Sequence, residues 1–200
     1  MGQFDSAISY LEKEIDKRYS GKPLARHIRS VAGFAQRIAA SVNESGPLAE
    51  KACVAGLAHD LYKGFPKKEL REFVIGESVP VDDDTLRIGG GLLHAPAAAH
   101  YIRTRLGIAD VEILSAVYYH TTGRANPTVL DKILFCADYL DPWREIRASE
   151  PDVKALSKRV FVSLDEVYRT VLFRKLTYTL SRGRPLHPGG VAAWNQVCGN

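Results

Sequence analysis

The sequence predicts a single all-α domain, and three observations support this prediction. Apolar residues recur at steps of three and four along most of the 200 residues, which is the spacing of amphipathic helices. The alternation of apolar and polar residues that marks half-buried strands is almost absent. No internal repeat and no long linker divides the chain, so we expect one domain over residues 1–200.

The first part of the chain predicts three helices. A first helix, which ends near Ser20-Gly21, is marked by apolar residues at Ile8, Leu11 and Ile15. A second begins at about Pro23 and carries apolar residues in near-heptad spacing at Leu24, Ile28, Val31, Ala35, Ile38 and Val42. Gly46-Pro47 opens a third, because Pro suits the first helical position. Its buried face is predicted at Ala52, Ala55, His59 and Tyr62, and Gly64 and Pro66 stop it.

The middle of the chain is less regular. Residues 66–75 predict a short helix, and residues 79–91 are mixed. The acidic run Asp82-Asp83-Asp84 is typical of a solvated helix start. The glycines at 89–91 follow no strand and lack the spacing of a phosphate-binding loop, so we do not expect them to cradle a phosphate.

Helical spacing resumes at Leu92 and continues to about residue 180. We expect a helix that ends at Leu106-Gly107, a second that begins at Asp110, and a third that begins at Thr128 after the breakers Gly123 and Pro127. A long final helix is predicted over residues 152–180, followed by a tail that contains Gly and Pro.

The composition is that of an ordinary globular protein, with 46% apolar and 25% charged residues. The formal charge of +4 agrees with an anionic substrate such as a nucleotide, and equally with an ordinary basic surface. The Lys and Arg residues are dispersed and form no recognition motif, so no nucleic-acid partner is expected.

The location of the protein is predicted from its first segment and its cysteines. Residues 1–16 are polar and charged, and no apolar run approaches the length of a membrane span. Cys53, Cys136 and Cys198 are far apart and in no metal-binding spacing, which indicates reduced thiols. We therefore expect a cytoplasmic protein without a membrane partner. The sequence leaves open whether it is a monomer or a homodimer.

The chemistry of the chain centres on residues 55–64, an apolar segment that carries His59 and Asp60 where its pattern asks for core residues. A buried carboxylate costs several kcal/mol unless a cation meets it. No single Lys or Arg is an obvious partner in the sequence. A metal ion would equally balance the charge of Asp60. Other histidines could bind the same ion, and so could Asp138, which interrupts another apolar face.

Six residues form this candidate set: His27, His59, Asp60, His94, His120 and Asp138. Imidazole and carboxylate groups are the ligands of iron, manganese and zinc. Adjacent helical residues point about 100° apart, so His59 and Asp60 bind one ion together only near a helix end, and the two oxygens of Asp60 would allow it to bridge two ions. Each residue also has a plainer reading as a hydrogen-bonded core histidine or a helix-capping aspartate. His100 and His187 lack comparable context and are read as structural.

The order His, His-Asp, Asp on successive helices resembles the HD-domain superfamily of metal-dependent phosphohydrolases. Several segments narrow the resemblance to the YqeK family of symmetrical diadenosine tetraphosphate hydrolases: AGLAHDLYK at 55–63, LHAPAA at 93–98, HTTG at 120–123, LDKILFCADY at 130–139, DPWR at 141–144, LHP at 186–188 and AWN at 193–195. The resemblance spans about residues 20–196. It implies a single HD domain that cleaves diadenosine tetraphosphate to two molecules of ADP.

The resemblance also implies roles for individual residues. An iron ion, with manganese or another divalent ion as alternatives, would be held by His27, His59, Asp60 and Asp138. His94 and His120 would either complete a second metal site or face the substrate phosphates, and the sequence leaves both open. Asp60, Lys63 and Asp138 are the expected catalytic residues, and the expected substrate-binding residues are Lys63, His94, His120, Thr121 and Arg144, with Arg124 a weaker candidate. The ion would activate a water for in-line attack on phosphorus.

Two departures from the family pattern concern substrate preference. Ile28 follows His27 where a small polar residue is usual, and the loop of Gly89, Gly90 and Gly91 is atypical. An HD hydrolase of another nucleotide therefore remains an alternative, as does a nucleotide-binding regulator without activity. The presence of competent residues at all six candidate positions counts against the inactive regulator.

Overall fold

The computed structural model describes residues 3–42, 47–144 and 150–199, and within these ranges it contains helices and no strand. The α-helices of the described ranges, numbered in chain order, are α1 (Asp5–Tyr19), α2 (Pro23–Ser41), α3 (Leu48–Ala58), α4 (Lys67–Gly76), α5 (Asp83–Ile88), α6 (His94–Leu106), α7 (Val111–Tyr119), α8 (Val129–Tyr139), α9 (Pro151–Arg159), α10 (Leu164–Ser181) and α11 (Pro188–Cys198). A 3₁₀ turn at Gly90–Leu92 precedes α6. The all-α prediction is confirmed.

Helix α3 lies at the centre of the fold, packed against α1, α2, α6, α7 and α8. It is apolar on nearly every side, as a helix surrounded by other helices must be. Gly56 allows α2 to approach α3 closely, because a Cβ atom built at Gly56 would lie 2.4 Å from the Cα of Ala32 on α2. The glycine therefore sets how closely α2 and α3 approach.

Local sequence signals explain where the helices begin. Pro23 stands at the first position of α2, as predicted. Asp82 and Asp110 each cap a following helix by accepting backbone N–H groups. Thr128 and Asp131 form a reciprocal capping box at the start of α8. The acidic run at Asp82 is thus a helix start, as its sequence indicates.

The predicted third helix begins within one residue of its expected start but ends earlier than expected. It begins at Leu48, one residue after Pro47, and Gly46 lies outside the described residues. It ends at Ala58, so Tyr62 lies in a series of turns that follows the helix. The hydroxyl of Tyr19 on α1 donates to the carbonyl of Leu61 at 2.7 Å, and this contact with α1 holds the chain in the turns.

The C-terminal third differs most from prediction. The expected helix over 152–180 is two helices, α9 and α10, separated at residues 160–163. Apolar residues recur through this break, with Val160 and Val167 both buried, so the pattern gave no warning. The expected tail contains α11, with Pro188 at its first position and His187 capping it through the N–H of Gly189.

Helix α11 packs tightly on the turn that follows α7. A Cβ atom at Gly189 or Gly190 would lie within 3 Å of the carbonyl oxygens of Gly123 and Thr122 respectively. These glycines, which read as a loop in the sequence, are therefore close-packing positions. No helix in the described part of the chain is both long and apolar enough to span a bilayer.

Candidate metal centre

The six candidate ligands come from five separate regions of the chain and meet in the interior. His27 lies on α2, His94 opens α6, and Asp138 lies in the last turn of α8. The remaining three directly follow helices: His59 and Asp60 follow α3, and His120 follows α7. None of the six is more than 8% exposed. Five of the six lie at a helix end or directly after one, and the side chains of all six converge in the interior.

Each histidine uses its Nδ1 atom outside the cluster. The rings of His59 and His120 bond to the carbonyl oxygens of Gly56 at 2.7 Å and Val117 at 2.8 Å, three residues earlier, and His94 bonds in the same way to Gly91. A carbonyl oxygen only accepts, so each Nδ1 carries a proton and the lone pair of the neutral ring lies on Nε2.

His27 is oriented instead by a carboxylate. Its Nδ1 lies 2.6 Å from Oδ2 of Asp141, which is fully buried. A carboxylate behind a histidine is the usual outer partner of a metal-ligating ring, because it fixes the tautomer and raises the basicity of the other nitrogen. The Nε2 of His27 therefore faces the cluster with the other three.

Four residues form a first ligand group: His27, His59, Asp60 and Asp138. The Nε2 atoms of His27 and His59 both lie 3.3 Å from Oδ2 of Asp60. Oδ1 of Asp138 lies 3.4 Å from Nε2 of His27 and 4.0 Å from that of His59. One donor atom from each residue lies within 4.8 Å of all the others, so these four residues could hold one ion.

A second group shares Asp60. Its other oxygen, Oδ1, lies 3.1 Å from Nε2 of His94 and 3.5 Å from Nε2 of His120. The two histidine nitrogens are 3.0 Å apart. Asp60 thus directs one oxygen to each group, as the sequence analysis allowed for a residue at a helix end.

The donor set fits a cation. Both oxygens of Asp60 and Oδ1 of Asp138 are buried without a well-aligned hydrogen-bond donor among the described residues. The Nε2 atoms of the histidines and the oxygens of Asp60 converge at 3.0–3.5 Å, and positive charge between these groups stabilises such an arrangement. A divalent metal ion supplies this charge in either group, and imidazole with carboxylate suits such an ion.

The protonation behaviour agrees with this reading. Burial lowers the pKa of His120 to about 3 despite the nearby Asp60, so its ring is neutral and its Nε2 is available as a ligand. Burial also disfavours the charged form of His27, yet the nearby carboxylates of Asp138, Asp141 and Asp60 raise its pKa to about 10. The carboxylates around His27 therefore favour positive charge beside that ring.

Three cations surround the cluster. Lys63 Nζ approaches Oδ2 of Asp60 at 2.9 Å, and Lys175 Nζ approaches Oδ2 of Asp138 at 3.3 Å. Arg144 Nη2 lies 3.0 Å from Nε2 of His27. Burial raises the pKa of the Asp138 carboxyl, but Lys175 and then His27 outweigh it and hold that pKa well below its usual value. The carboxylates of the centre are therefore ionised.

A cavity of about 600 Å³ opens beside the centre. Its charged end is lined by Lys63, His94, Asp138 and Lys175, with Thr121 beside them. The Thr121 hydroxyl lies 3.0 Å from Nε2 of His120. The glycines at 89–91 line the same cavity, so this loop borders the site although its spacing is not that of a phosphate-binding loop.

The remaining candidates from the sequence lie in other contacts. Arg124 bonds to the Ser115 hydroxyl and to the carbonyl of Ala125. His187, read as structural, caps α11, bonds through Nε2 to the Thr85 hydroxyl at 2.9 Å and also lines the cavity. His100 lies half-buried on α6.

Sequence reasoning missed two residues of the site. Asp141 had a signal, because it directly follows α8 within the segment DPWR that carries the family resemblance. Lys175 had a weaker one: it stands three and four residues after the buried Leu172 and Val171, on the apolar stripe of α10. A lysine on an amphipathic helix is usually solvated, so this spacing alone does not distinguish it.

Comparisons with known proteins agree with the geometry. The model of the HD domain family matches residues 24–143. The chain is 36% identical over 148 residues to a protein of Halalkalibacterium halodurans named symmetrical bis(5'-nucleosyl)-tetraphosphatase, covering 74% of this chain and 76% of the relative. It is 29% identical over 150 residues to the Bacillus subtilis protein of the same name, covering 75% and 77%.

A solved structure has the same fold. The crystal structure of a protein from Clostridium acetobutylicum, described as a predicted HD superfamily hydrolase involved in NAD metabolism, superposes with a TM-score of 0.77 at 28% identity. The match covers 100% of this chain and 98% of that one. The likeness therefore includes α9 to α11, which lie beyond the matched domain model.

Proposed function

This chain belongs to the YqeK family of HD-domain proteins, and on that premise we propose that it is a metal-dependent phosphohydrolase that cleaves diadenosine tetraphosphate symmetrically to two molecules of ADP. The relatives named as symmetrical tetraphosphatases support the reaction, and the buried histidine and aspartate groups support its dependence on a metal.

A single observation carries the proposal: the side chain of Asp60. It is fully buried, neither oxygen has a hydrogen bond of good geometry among the described residues, and each oxygen is directed at a different set of histidines. The ammonium of Lys63 lies 2.9 Å from Oδ2. A structural aspartate would bond to backbone or side-chain donors. A carboxylate between two sets of imidazoles, with a single ammonium beside it, is suited to binding cations through both of its oxygens.

We assign the first ion position to His27, His59, Asp60 and Asp138, and propose iron as its occupant, with manganese as a substitute. His94, His120 and Oδ1 of Asp60 would hold either a second ion or the phosphates of the substrate. A divalent ion bound here supplies an activated water and positive charge beside the phosphoryl oxygens. Asp141 keeps Nε2 of His27 directed at the ion through its bond to Nδ1.

The charges around the site favour an anionic substrate. The three carboxylates of Asp60, Asp138 and Asp141 are matched by the cations of Lys63, Arg144 and Lys175. Any divalent ion therefore leaves the site with an excess of positive charge. This excess of positive charge favours the binding of a polyphosphate chain, and the cavity beside the centre provides space for it.

The catalytic roles follow from contacts with the cavity. Lys63 lines the cavity next to Asp60, so we propose that its ammonium donates to the phosphoryl oxygens on which charge develops. Thr121 would bind an adjacent oxygen through its hydroxyl. Arg144 is about one-third exposed, and its guanidinium would turn from His27 to a phosphate when an ion occupies the centre. Asp60 and Asp138 act by holding the ion.

The protein is proposed to act in the cytoplasm on a small-molecule nucleotide, as a monomer or homodimer without a nucleic-acid or membrane partner. The dispersed Lys and Arg residues and the absence of a membrane-spanning helix from the described ranges support this setting.

The test is product chromatography after incubation of iron-loaded protein with diadenosine tetraphosphate, beside a chelator-treated control. We expect two ADP per substrate, lost on chelation and restored by added iron or manganese. A mixture of ATP and AMP would refute symmetrical attack, and the absence of turnover with metal bound would refute the substrate. A panel of other nucleotides would then separate another phosphohydrolase from an inactive nucleotide-binding regulator.

A further inference from the structure

Two lysines approach the candidate ligand carboxylates from the same cavity. Lys63 Nζ lies 2.9 Å from Oδ2 of Asp60, and Lys175 Nζ lies 3.3 Å from Oδ2 of Asp138. Both line the cavity beside the centre. Each of the two carboxylates that face the first group therefore has its own ammonium partner.

Lys175 is held more firmly than a surface lysine. Its ammonium also donates to the carbonyl of His120 at 3.1 Å and lies 3.9 Å from the centre of the Phe135 ring. Its side chain is only 21% exposed. Ordering and burying a lysine in this way is costly, so its position calls for a physical reason.

Metal binding alone does not supply that reason. A fixed positive charge beside a ligand carboxylate weakens the attraction between that carboxylate and a divalent ion, because the two cations repel each other. A site that served only to hold an ion would be better without this lysine. The positive charge of Lys175 becomes favourable when an anion binds beside the ion, because the lysine and the ion then both attract that anion.

We propose that Lys175 is a second phosphate-binding cation, which rests on Asp138 when the ion is absent and bonds to a phosphoryl oxygen once the ion has taken over the charge of that carboxylate. The inference rests on the proposed function, because it assumes that the cavity receives the phosphates of the substrate. The contacts with His120 and Phe135 hold the ammonium at the junction of the ion groups and the cavity.

The proposal predicts shifts of opposite sign in a single variant, Lys175→Met. Isothermal titration with Mn²⁺ should show several-fold tighter binding, because a competing cation has been removed. Titration of the Mn²⁺-loaded, gel-filtered protein with ADP should show about ten-fold weaker binding or more, because a charge-assisted hydrogen bond to phosphate has been lost.

Lys132→Met is the matched control. Lys132 on α8 pairs with Asp165 on α10 at 2.6 Å. This pair joins the same two helices as Lys175 and Asp138, but here the lysine lies on α8 and the aspartate on α10. Neither Mn²⁺ nor ADP affinity should change in this variant. Folding of both variants is to be checked by circular dichroism. If Lys175→Met does not fold, Lys175→Gln, which also removes the charge, replaces it with the same expectations.

Two results would overturn the proposal. Weaker Mn²⁺ binding in the charge-removing variant would show that Lys175 positions Asp138 instead of competing with the ion. Unchanged ADP affinity would show that it makes no phosphate contact. Turnover of diadenosine tetraphosphate by the wild-type protein is measured separately, so loss of the proposed function and loss of this inference give different results.

Discussion

Asp60 stands between two groups of histidines, and its replacement should remove both positions for an ion. Asp60→Ala is expected to weaken Mn²⁺ binding by more than about 100-fold, since the loss of an outer partner alone costs about 10- to 100-fold. Turnover of diadenosine tetraphosphate should disappear with it. Metal analysis and product chromatography on the same preparation test this, and a fully active variant would contradict the assignment of the centre.

Asp141 contacts no candidate ion position and acts through His27. Asp141→Asn keeps an acceptor for the Nδ1 proton of His27 but removes the charge that makes the ring more basic. We expect Mn²⁺ affinity to fall about 10-fold or more, with the circular dichroism spectrum unchanged. Asp165→Asn, a change at an 80% exposed aspartate, serves as the control. Equal affinities in the two variants would argue against a positioning role for Asp141.

Lys63 differs from Asp60 in that we expect it to bind the substrate and not the ion. Lys63→Ala should bind Mn²⁺ at least as tightly as the wild type, because it removes a cation 2.9 Å from Asp60. Its turnover rate should fall by about 10-fold or more, through loss of a hydrogen bond that strengthens as charge develops on phosphate. Steady-state kinetics at saturating metal provide the measurement, and unchanged kinetics would remove Lys63 from the catalytic set.

At the scale of helices, the closeness of α2 and α3 sets the distance between His27 and His59. Gly56→Ala would place a methyl group 2.4 Å from the Ala32 backbone, and backbone atoms cannot move aside as a flexible side chain does. We expect a loss of about 1–3 kcal/mol in the free energy of unfolding, together with weaker Mn²⁺ binding because the two histidines are driven apart.

Gly33→Ala on the outer face of α2 is the matched comparison. Nothing lies within 4 Å of the added methyl group, so the variant gains helix propensity without a clash. Urea titration should show a stabilisation of about 0.5–1 kcal/mol. If both alanine variants shifted stability in the same direction, the close packing at Gly56 would not be the cause.

How far the sequence predicted the site depends on what kind of signal each residue gave. The six candidate ligands were visible because each is a polar residue in an otherwise apolar helical pattern. Lys175 stayed hidden because a lysine on an amphipathic helix is ordinary, and only the packing of α10 on α8 brings it to Asp138. The division between α9 and α10 was missed because apolar spacing runs through it.

The C-terminal helix shows a limit of another kind. Gly189 and Gly190 look like loop residues, because glycine is unfavourable inside a helix and nothing in the neighbouring sequence explains its presence. Both glycines are needed because the backbone packs closely against the carbonyl oxygens of Thr122 and Gly123, about 65 residues earlier in the chain. Long-range close packing of this sort leaves no periodic pattern to read.

For the whole molecule, an ion at the centre should act as a folding ligand. The ligand groups lie on α2, α6 and α8 and directly after α3 and α7, and they are brought together only in the folded state. Mn²⁺ at 100 times its dissociation constant should therefore stabilise the protein by about 2.7 kcal/mol. Thermal unfolding should shift upward by about 5–10 °C in a domain of this size.

The control for this thermal shift is the Asp60→Ala variant, whose unfolding temperature should not respond to Mn²⁺. Magnesium, which prefers oxygen ligands and keeps its waters, should shift the wild-type protein much less. A shift of equal size in the variant would show that Mn²⁺ stabilises the fold at some other place.

The tight seat of α11 on the turn that carries His120 has a consequence for biosynthesis. All six candidate ligands have left the ribosome once Asp138 has emerged, yet the helices that wall the cavity, α10 and α11, emerge afterwards. A nascent chain at that stage presents its histidines and carboxylates to the cell without Lys175 or the cover of α11. Metal acquisition during translation would then precede closure of the pocket, and the order of the two events would decide which ion is trapped.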